Sequence, residues 1–340
     1  MDGSRIGICC GGNWILDHVK TITFWPQEET LTNIVAEELG TGGSPYNVLV
    51  DLARFGLGVP LEGVGVVGDD ADGQRILEDL QRWGIESRFV RKLPGVPTAY
   101  TDVMTVATTG RRTFFHNRGA NALLAPEHFV LEGNRARLFN LGYLLLLDTL
   151  DEPDPEFGTK AARVLFRFRE AGVLTSLDVV SEDSQRFASI VTPALPHTDY
   201  CIINEIEAGR TTGCEIRRTG KLDRGEMERA AEALLSRGVK RLAIVHAPEG
   251  SLGISADGER LWQPAHRLPE GFIRGTAGAG DAFNAGMLAG IHEGWSLERS
   301  LRFATAAAAT CLRHPTTTGG VGGADEIWRL AETMPYQVLA

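Results

Sequence analysis

Apolar positions in this chain repeat with two different periods. Behind Ser44-Pro45, which reads as a helix N-cap followed by a proline at the first helical position, Val48, Leu49, Leu52 and Phe55 recur at helical spacing. Gly56 stands where a C-terminal cap belongs, so the pattern predicts a helix over 44–55. Aliphatic runs at 6–10 and 61–67 read as strands, and a second helix is predicted from about 72 to 83, ending at Gly84. From residue 138 the two signals alternate: strand 138–147, helix near 156–171, strand 173–179, helix near 183–193, strand 199–203, helix 225–237 and strand 240–246. Such alternation predicts an α/β fold with a mostly parallel sheet covered by helices on both faces.

Two stretches break that rhythm. Residues 13–40 mix β-branched and acidic residues without a helical period, and 97–117 hold two β-rich runs around Thr109-Gly110, the mark of a hairpin. Segments at about 13–40 and 96–118 are therefore expected to form a small β-sheet lid inserted in the α/β core. No repeat, low-complexity tract or linker divides the chain, which is read as one domain over 1–340.

Composition narrows the function classes. The 340 residues are 43% hydrophobic and 23% charged, and the longest apolar stretch, 141–147, is too short for a membrane helix but suits a buried strand. A net charge of −10 argues against general binding of nucleic acid or anionic membranes. The first residues show no basic segment followed by a long apolar run, so a cytoplasmic location is expected. Cys9, Cys10, Cys201, Cys214 and Cys311 are scattered and odd in number, and read as small core residues.

Candidate chemistry concentrates at residues 275–283, Gly-Thr-Ala-Gly-Ala-Gly-Asp-Ala-Phe, which lead into a helix carrying Met287, Leu288 and Ile291. Small residues let the backbone approach a ligand, and unpaired amides with the helix dipole favour a phosphate at such an N-terminus. Asp281 would stand beside that phosphate, where a carboxylate can accept the proton of an attacking hydroxyl. The competing reading is that the glycines only permit helix packing and Asp281 complements the dipole. No GxxxxGK[ST] loop is present, and the GxGxxG match at Gly63, Gly65 and Gly68 lies within a strand rather than opening a helix.

These motifs resemble those of the ribokinase-like, PfkB-type carbohydrate kinases over about residues 6–334. GTAGAGDAFNAG at 275–286 is similar to the family's C-terminal signature, while Gly42-Gly43-Ser44-Pro45-Tyr46-Asn47, the stretch 52–56 and the stretch 67–73 are similar to its N-terminal region. The resemblance implies a three-layer α/β/α core with a β lid, and ATP-dependent phosphorylation of a hydroxyl on a small sugar or sugar-like substrate with Mg²⁺. It implies that Gly278, Ala279 and Gly280 form the anion hole and Asp281 is the base. Asp17, Gly42, Gly43 and Asn47 would hold the sugar, with Arg118 at its edge, and Asn204, His246, Gly250 and Thr276 would face the nucleotide. Glu207, in an N-x-x-E element with Asn204, would hold magnesium through water. A homodimer through lid strands is a further implication.

Departures from the family pattern set expectations of their own. Gly275 replaces the first aspartate of the signature, which puts the K⁺ site of many relatives in question. Val245-His246-Ala247-Pro248-Glu249-Gly250 replaces V-T-x-G-x-x-G, so the adenine pocket is expected to be unusual. Asp178 alone is kept from a D-x-N-x-R pattern of some sugar kinases. A nucleoside kinase would need stacking aromatics, for which Trp14, Tyr46 and Phe115 are candidates, and a phosphofructokinase-like acceptor site would use Arg111, Arg112 and Arg118. A non-catalytic sugar-binding relative is the reading from another class.

Overall fold

A computed structural model describes residues 5–338 of the chain. Strand segments that are apolar on both faces, such as Gly7–Gly12 and Leu61–Gly68, are buried along their whole length. That pattern belongs to the interior of a parallel sheet. Nine strands form it, in the order Arg260–Pro264, Gly250–Ser255, Leu242–Ala247, Tyr200–Asn204, Leu174–Val179, Ala136–Leu144, Gly7–Gly12, Leu61–Gly68 and Glu86–Leu93. Pairing is parallel from Leu242–Ala247 to Glu86–Leu93, while Gly250–Ser255 and Arg260–Pro264 add antiparallel at one edge.

Helices cover both faces, giving three layers with an apolar core on each side. Phe139, Phe168, Leu165, Val191 and Leu234 pack in one core; Leu49, Phe55, Leu288, Phe303 and Ile327 pack in the other. The stripe read at 48–55 belongs to the helix Ser44–Phe55, closed by Gly56 at φ 70°. Its start differs from the expectation: Gly43, not Ser44, occupies the cap position, and no side chain caps the helix. The Ser44 hydroxyl is committed elsewhere, donating to Asp178 Oδ2 at 2.8 Å. A tertiary hydrogen bond has replaced the local one.

Four strands form a second sheet in the order Ile34–Gly42, Ile15–Ile22, Ala99–Val106 and Arg112–Asn117. Ile15–Ile22 runs parallel to Ala99–Val106 and antiparallel to Ile34–Gly42. The hairpin turn falls at Thr109-Gly110, with Gly110 at φ 66°. The GxGxxG stretch has a packing role. Trp14 is fully buried, donates from Nε1 to the Val64 carbonyl at 3.1 Å, and lies so close to Gly63 and Gly65 that added Cβ atoms would stand 2.8 and 2.2 Å from its ring.

The main sheet reverses direction between Gly7–Gly12 and Ala136–Leu144: later strands add on opposite sides of this pair. A crevice at the carboxyl ends of strands around such a switch point is the preferred ligand site of an open α/β sheet. Here Asn13 follows the end of one strand and Tyr143 stands next to last in the other, and the Tyr143 amide donates to Asn13 Oδ1 at 3.2 Å.

Candidate active site

The glycine turn passes into the helix Ala279–Glu293 with Gly278 as its cap, so the small-residue run extends into the first helical turn. Gly278 has φ 84°, and a Cβ on it would lie 2.0 Å from the Thr317 carbonyl oxygen, so the turn accepts only glycine there. The first helical bond runs from the Ala282 amide to the Gly278 carbonyl at 2.8 Å. Amides of Ala279, Gly280 and Asp281 precede it and have no intrahelical acceptor, which is what an anion-binding helix start requires.

Asp281 is 4% exposed and held from two directions. Asn47 Nδ2 donates to its Oδ2 at 2.8 Å, and the Tyr143 hydroxyl donates to its Oδ1 at 2.6 Å. Asn47 is oriented in turn by Thr317, whose hydroxyl donates to Asn47 Oδ1 at 3.0 Å. Burial raises the Asp281 pKa to about 6, against the lowering effect of the two donors. The carboxylate is thus ionised at neutral pH yet basic enough to take a proton. Asp178, buried beside it and accepting from Ser44, is pushed well up by burial first and then by the charges of Asp281 and Glu207.

Asp17 lies on the strand Ile15–Ile22, opposite Gly40 and Thr101. A Cβ on Gly42 would stand 2.7 Å from Asp17 Oδ2, so the glycine makes room for the carboxylate. Burial raises the Asp17 pKa to about 6, opposed by a hydrogen bond with Thr101 and by His18 and Arg112. Gly42, Gly43 and Asn47 follow at the junction of the small sheet with the first helix, so this group and Asp281 share one region through Asn47. Arg118 is engaged apart from them, donating to Asp148 at 2.5 Å and to the Leu145 carbonyl at 3.3 Å.

On the other side of the glycine turn is a cavity of about 720 Å³ whose apolar lining includes Ile273, Phe283, Ala308 and Leu312. Asn204, His246, Gly250, Thr276, Ala279 and Gly280 also line it, which brings together three separate chain segments chosen from sequence. His246 stands beside Gly280, its ring tilted 35° against Phe283 at 4.9 Å, and burial lowers its pKa to about 4, so the imidazole is neutral. Glu207 does not line the cavity. It completes a capping box with Asn204, accepting from the Asn204 amide at 3.0 Å and from Ser181 at 2.8 Å, and burial raises its pKa to about 7.

Other sequence candidates resolve into packing. Trp14 and Tyr46 are buried core residues, and Phe115 is exposed with its ring stacked 6.1 Å from Trp25, so the three make no stacking cluster. Arg112 donates to the Pro315 carbonyl at 3.1 Å and acts on Asp17 by charge. Residues that sequence reasoning missed are Tyr143, Ser181 and Thr317, together with the role of Asp178.

The profile of the pfkB family carbohydrate kinase matches residues 8–321. This chain belongs to that family. Among curated relatives, an Arabidopsis thaliana ribokinase is 29% identical over 252 residues, 74% of this chain and 62% of the relative. An ATP-dependent ribose-1-phosphate kinase of Halopiger xanaduensis is 28% identical, covering 87% of this chain and 88% of the relative. Among solved structures, Arabidopsis thaliana ribokinase complexed with ribose and ATP superposes with a TM-score of 0.79 at 24% identity, covering 96% of this family member and 99% of that chain. Its three-layer fold is therefore that of the ribokinases. Among the described residues, no helix is long and apolar enough to cross a membrane.

Proposed function

We propose that this family member transfers the γ-phosphoryl group of ATP to a hydroxyl of a small sugar or sugar-derived molecule. The observation that carries this reading is the setting of Asp281: a buried, doubly held carboxylate at a helix start whose amides border a nucleotide-sized cavity. The sugar would rest against Asp17, Gly42, Gly43 and Asn47, with its reactive hydroxyl donating to Asp281. As the hydroxyl oxygen attacks, its proton passes to the Asp281 carboxylate, and the Gly278, Ala279 and Gly280 segment stabilises the charge growing on the phosphoryl oxygens. Asn204, His246, Gly250 and Thr276 would border the nucleotide.

Magnesium fits the electrostatics. Asp178, Glu207 and Asp281 are buried acids, and burial followed by the charges of Asp281 and Glu207 raises the Asp178 pKa. Among the described residues, no group of three or more acids, histidines or cysteines could hold a metal directly. Mg²⁺ would then be held through water by Glu207 and Asp178 as well as by phosphate oxygens, and would neutralise the phosphates when bound. For K⁺, Gly275 supplies no carboxylate, and a Cβ there would lie 2.8 Å from the His314 carbonyl oxygen. The four-stranded sheet would close as the lid over the sugar. Its exposed Val35, Leu39, Phe114 and Phe115 support pairing with a second copy.

The test is ADP formation with MgATP across pentoses, hexoses, sugar phosphates and nucleosides, beside Asp281→Asn. Turnover of one class should fall by about a hundred- to ten-thousandfold in the variant while ADP binding persists. Sugar binding without any turnover would instead support a non-catalytic relative, and turnover confined to nucleosides a nucleoside kinase.

A further inference from the structure

The rim of the nucleotide cavity is formed by two pieces of chain that have no covalent connection near it. One is the start of the helix Glu205–Thr212, where Asn204, Glu205 and Ile206 face the cavity. The other is the turn between Leu242–Ala247 and Gly250–Ser255, whose Ala247, Pro248 and Gly250 face it. Pro248 has no amide to donate, so this turn cannot be drawn to a ligand through residue 248.

A single guanidinium ties the two pieces together. Arg217 Nη2 donates to Glu205 Oε1 at 2.8 Å and Nε to the same oxygen at 3.1 Å; Nη1 and Nη2 donate to the two Glu249 oxygens, each at 2.9 Å. Nη1 also reaches the Gly220 carbonyl at 3.0 Å, anchoring the hairpin from which Arg217 projects. The side chains are 27%, 8% and 26% exposed for Arg217, Glu205 and Glu249, so the group is partly withdrawn from water. Planar, forked geometry of this kind fixes position as well as charge, which a lysine cannot do. Both glutamates lie within or next to elements chosen from sequence for the nucleotide, and Glu249 belongs to the segment that departs from the family pattern.

We infer that Arg217 is a positioning residue for the phosphoryl donor: by clamping Glu205 to Glu249 it sets the width of the nucleotide cavity. This rests on the reading of that cavity as the ATP site. Without the guanidinium, two partly buried carboxylates face each other unpaired, and their repulsion drives the 247–250 turn away from the helix start.

The experiment is calorimetric titration of the full chain with MgADP, in wild type, Arg217→Met, Arg217→Lys, and the double variant Arg217→Met/Glu249→Gln. Arg163→Met is the control; it breaks a similar forked pair with Asp154 away from the cavity. ADP affinity should fall by about ten- to a hundredfold in Arg217→Met. Arg217→Lys should recover part of it, and the double variant should exceed the single one because the repulsion is relieved. Arg163→Met should bind like wild type even if its Tm drops. In steady state the loss should appear in KM for ATP and spare KM for the sugar.

Unchanged ADP affinity in Arg217→Met, or an equal loss in Arg163→Met, overturns the clamp. A double variant no better than Arg217→Met overturns the repulsion on which it depends. Absence of ADP binding in the wild type refutes the nucleotide reading itself, and the clamp with it.

Discussion

Replacing Tyr143 by Phe removes one hydroxyl and little else, and isolates what that group does for Asp281. The hydroxyl donates to Asp281 Oδ1 at 2.6 Å, and burial and the neighbouring acids hold its own pKa well above the ordinary tyrosine range, so it remains a donor through neutral pH. A hydrogen bond to a charged acceptor contributes about 1.5–3 kcal/mol, which is about one to two pKa units. Asp281 starts at about 6, raised by burial. Without the donor its ionised form is disfavoured further, moving the pKa to about 7–8. The fraction ionised at pH 7 then drops from about nine-tenths to between roughly one-half and one-tenth.

The assay is kcat/KM for the sugar from pH 5.5 to 9 at constant ionic strength. Wild type should lose activity as pH falls through about 6. Tyr143→Phe should lose it one to two units higher and regain most of it by pH 9, where the carboxylate is again ionised. An acidic limb that superimposes on wild type would refute the argument, as would a loss of equal size at every pH. The first result would mean that Asp281 is not the titrating base, the second that Tyr143 matters only for shape.

Three further outcomes follow from the same geometry. Asp17→Asn should raise KM for the sugar by about ten- to a hundredfold, the weight of hydrogen bonds to a charged group, and leave ADP affinity unchanged in calorimetry. Asp281→Asn should raise Tm at pH 8, keep about half of that advantage at pH 5 and lose most of it by pH 4: the folded pKa of about 6 lies above the ordinary value of 3.8, so ionisation costs stability above pH 6 and the cost fades as pH falls through 6 toward 4. Trp14→Ala should lower unfolding stability by about 3–5 kcal/mol in urea denaturation, since it empties a fully buried ring site and leaves the Val64 carbonyl without its donor.

What the sequence made legible was local. Helix periodicity with Gly56 behind it placed the first helix, and a run of small residues before an apolar helix placed the glycine turn with Asp281 in the first turn after it. The three-layer architecture followed from alternation of periods. Tyr143 was illegible because it sits in an apolar strand run, 138 residues from the carboxylate it serves, with nothing nearby to mark it. Ser44 misled because a serine before proline has the local form of a cap, whereas its hydroxyl serves Asp178, 134 residues away. The edge strands Gly250–Ser255 and Arg260–Pro264 reverse the parallel rhythm and so escaped a pattern built on it.

The hydrogen bonds around Asn47 also set an order of events during synthesis. Asn47 is 234 residues ahead of the aspartate it holds and 270 ahead of the threonine that orients it. A nascent chain can complete the strands Ile15–Ile22 and Ile34–Gly42 early, but the Asn47 contact to Asp281 lacks its orienting hydroxyl until residue 317 has left the ribosome. Two fragments divided between residues 47 and 281 would therefore each lack one side of this contact until they reassociate.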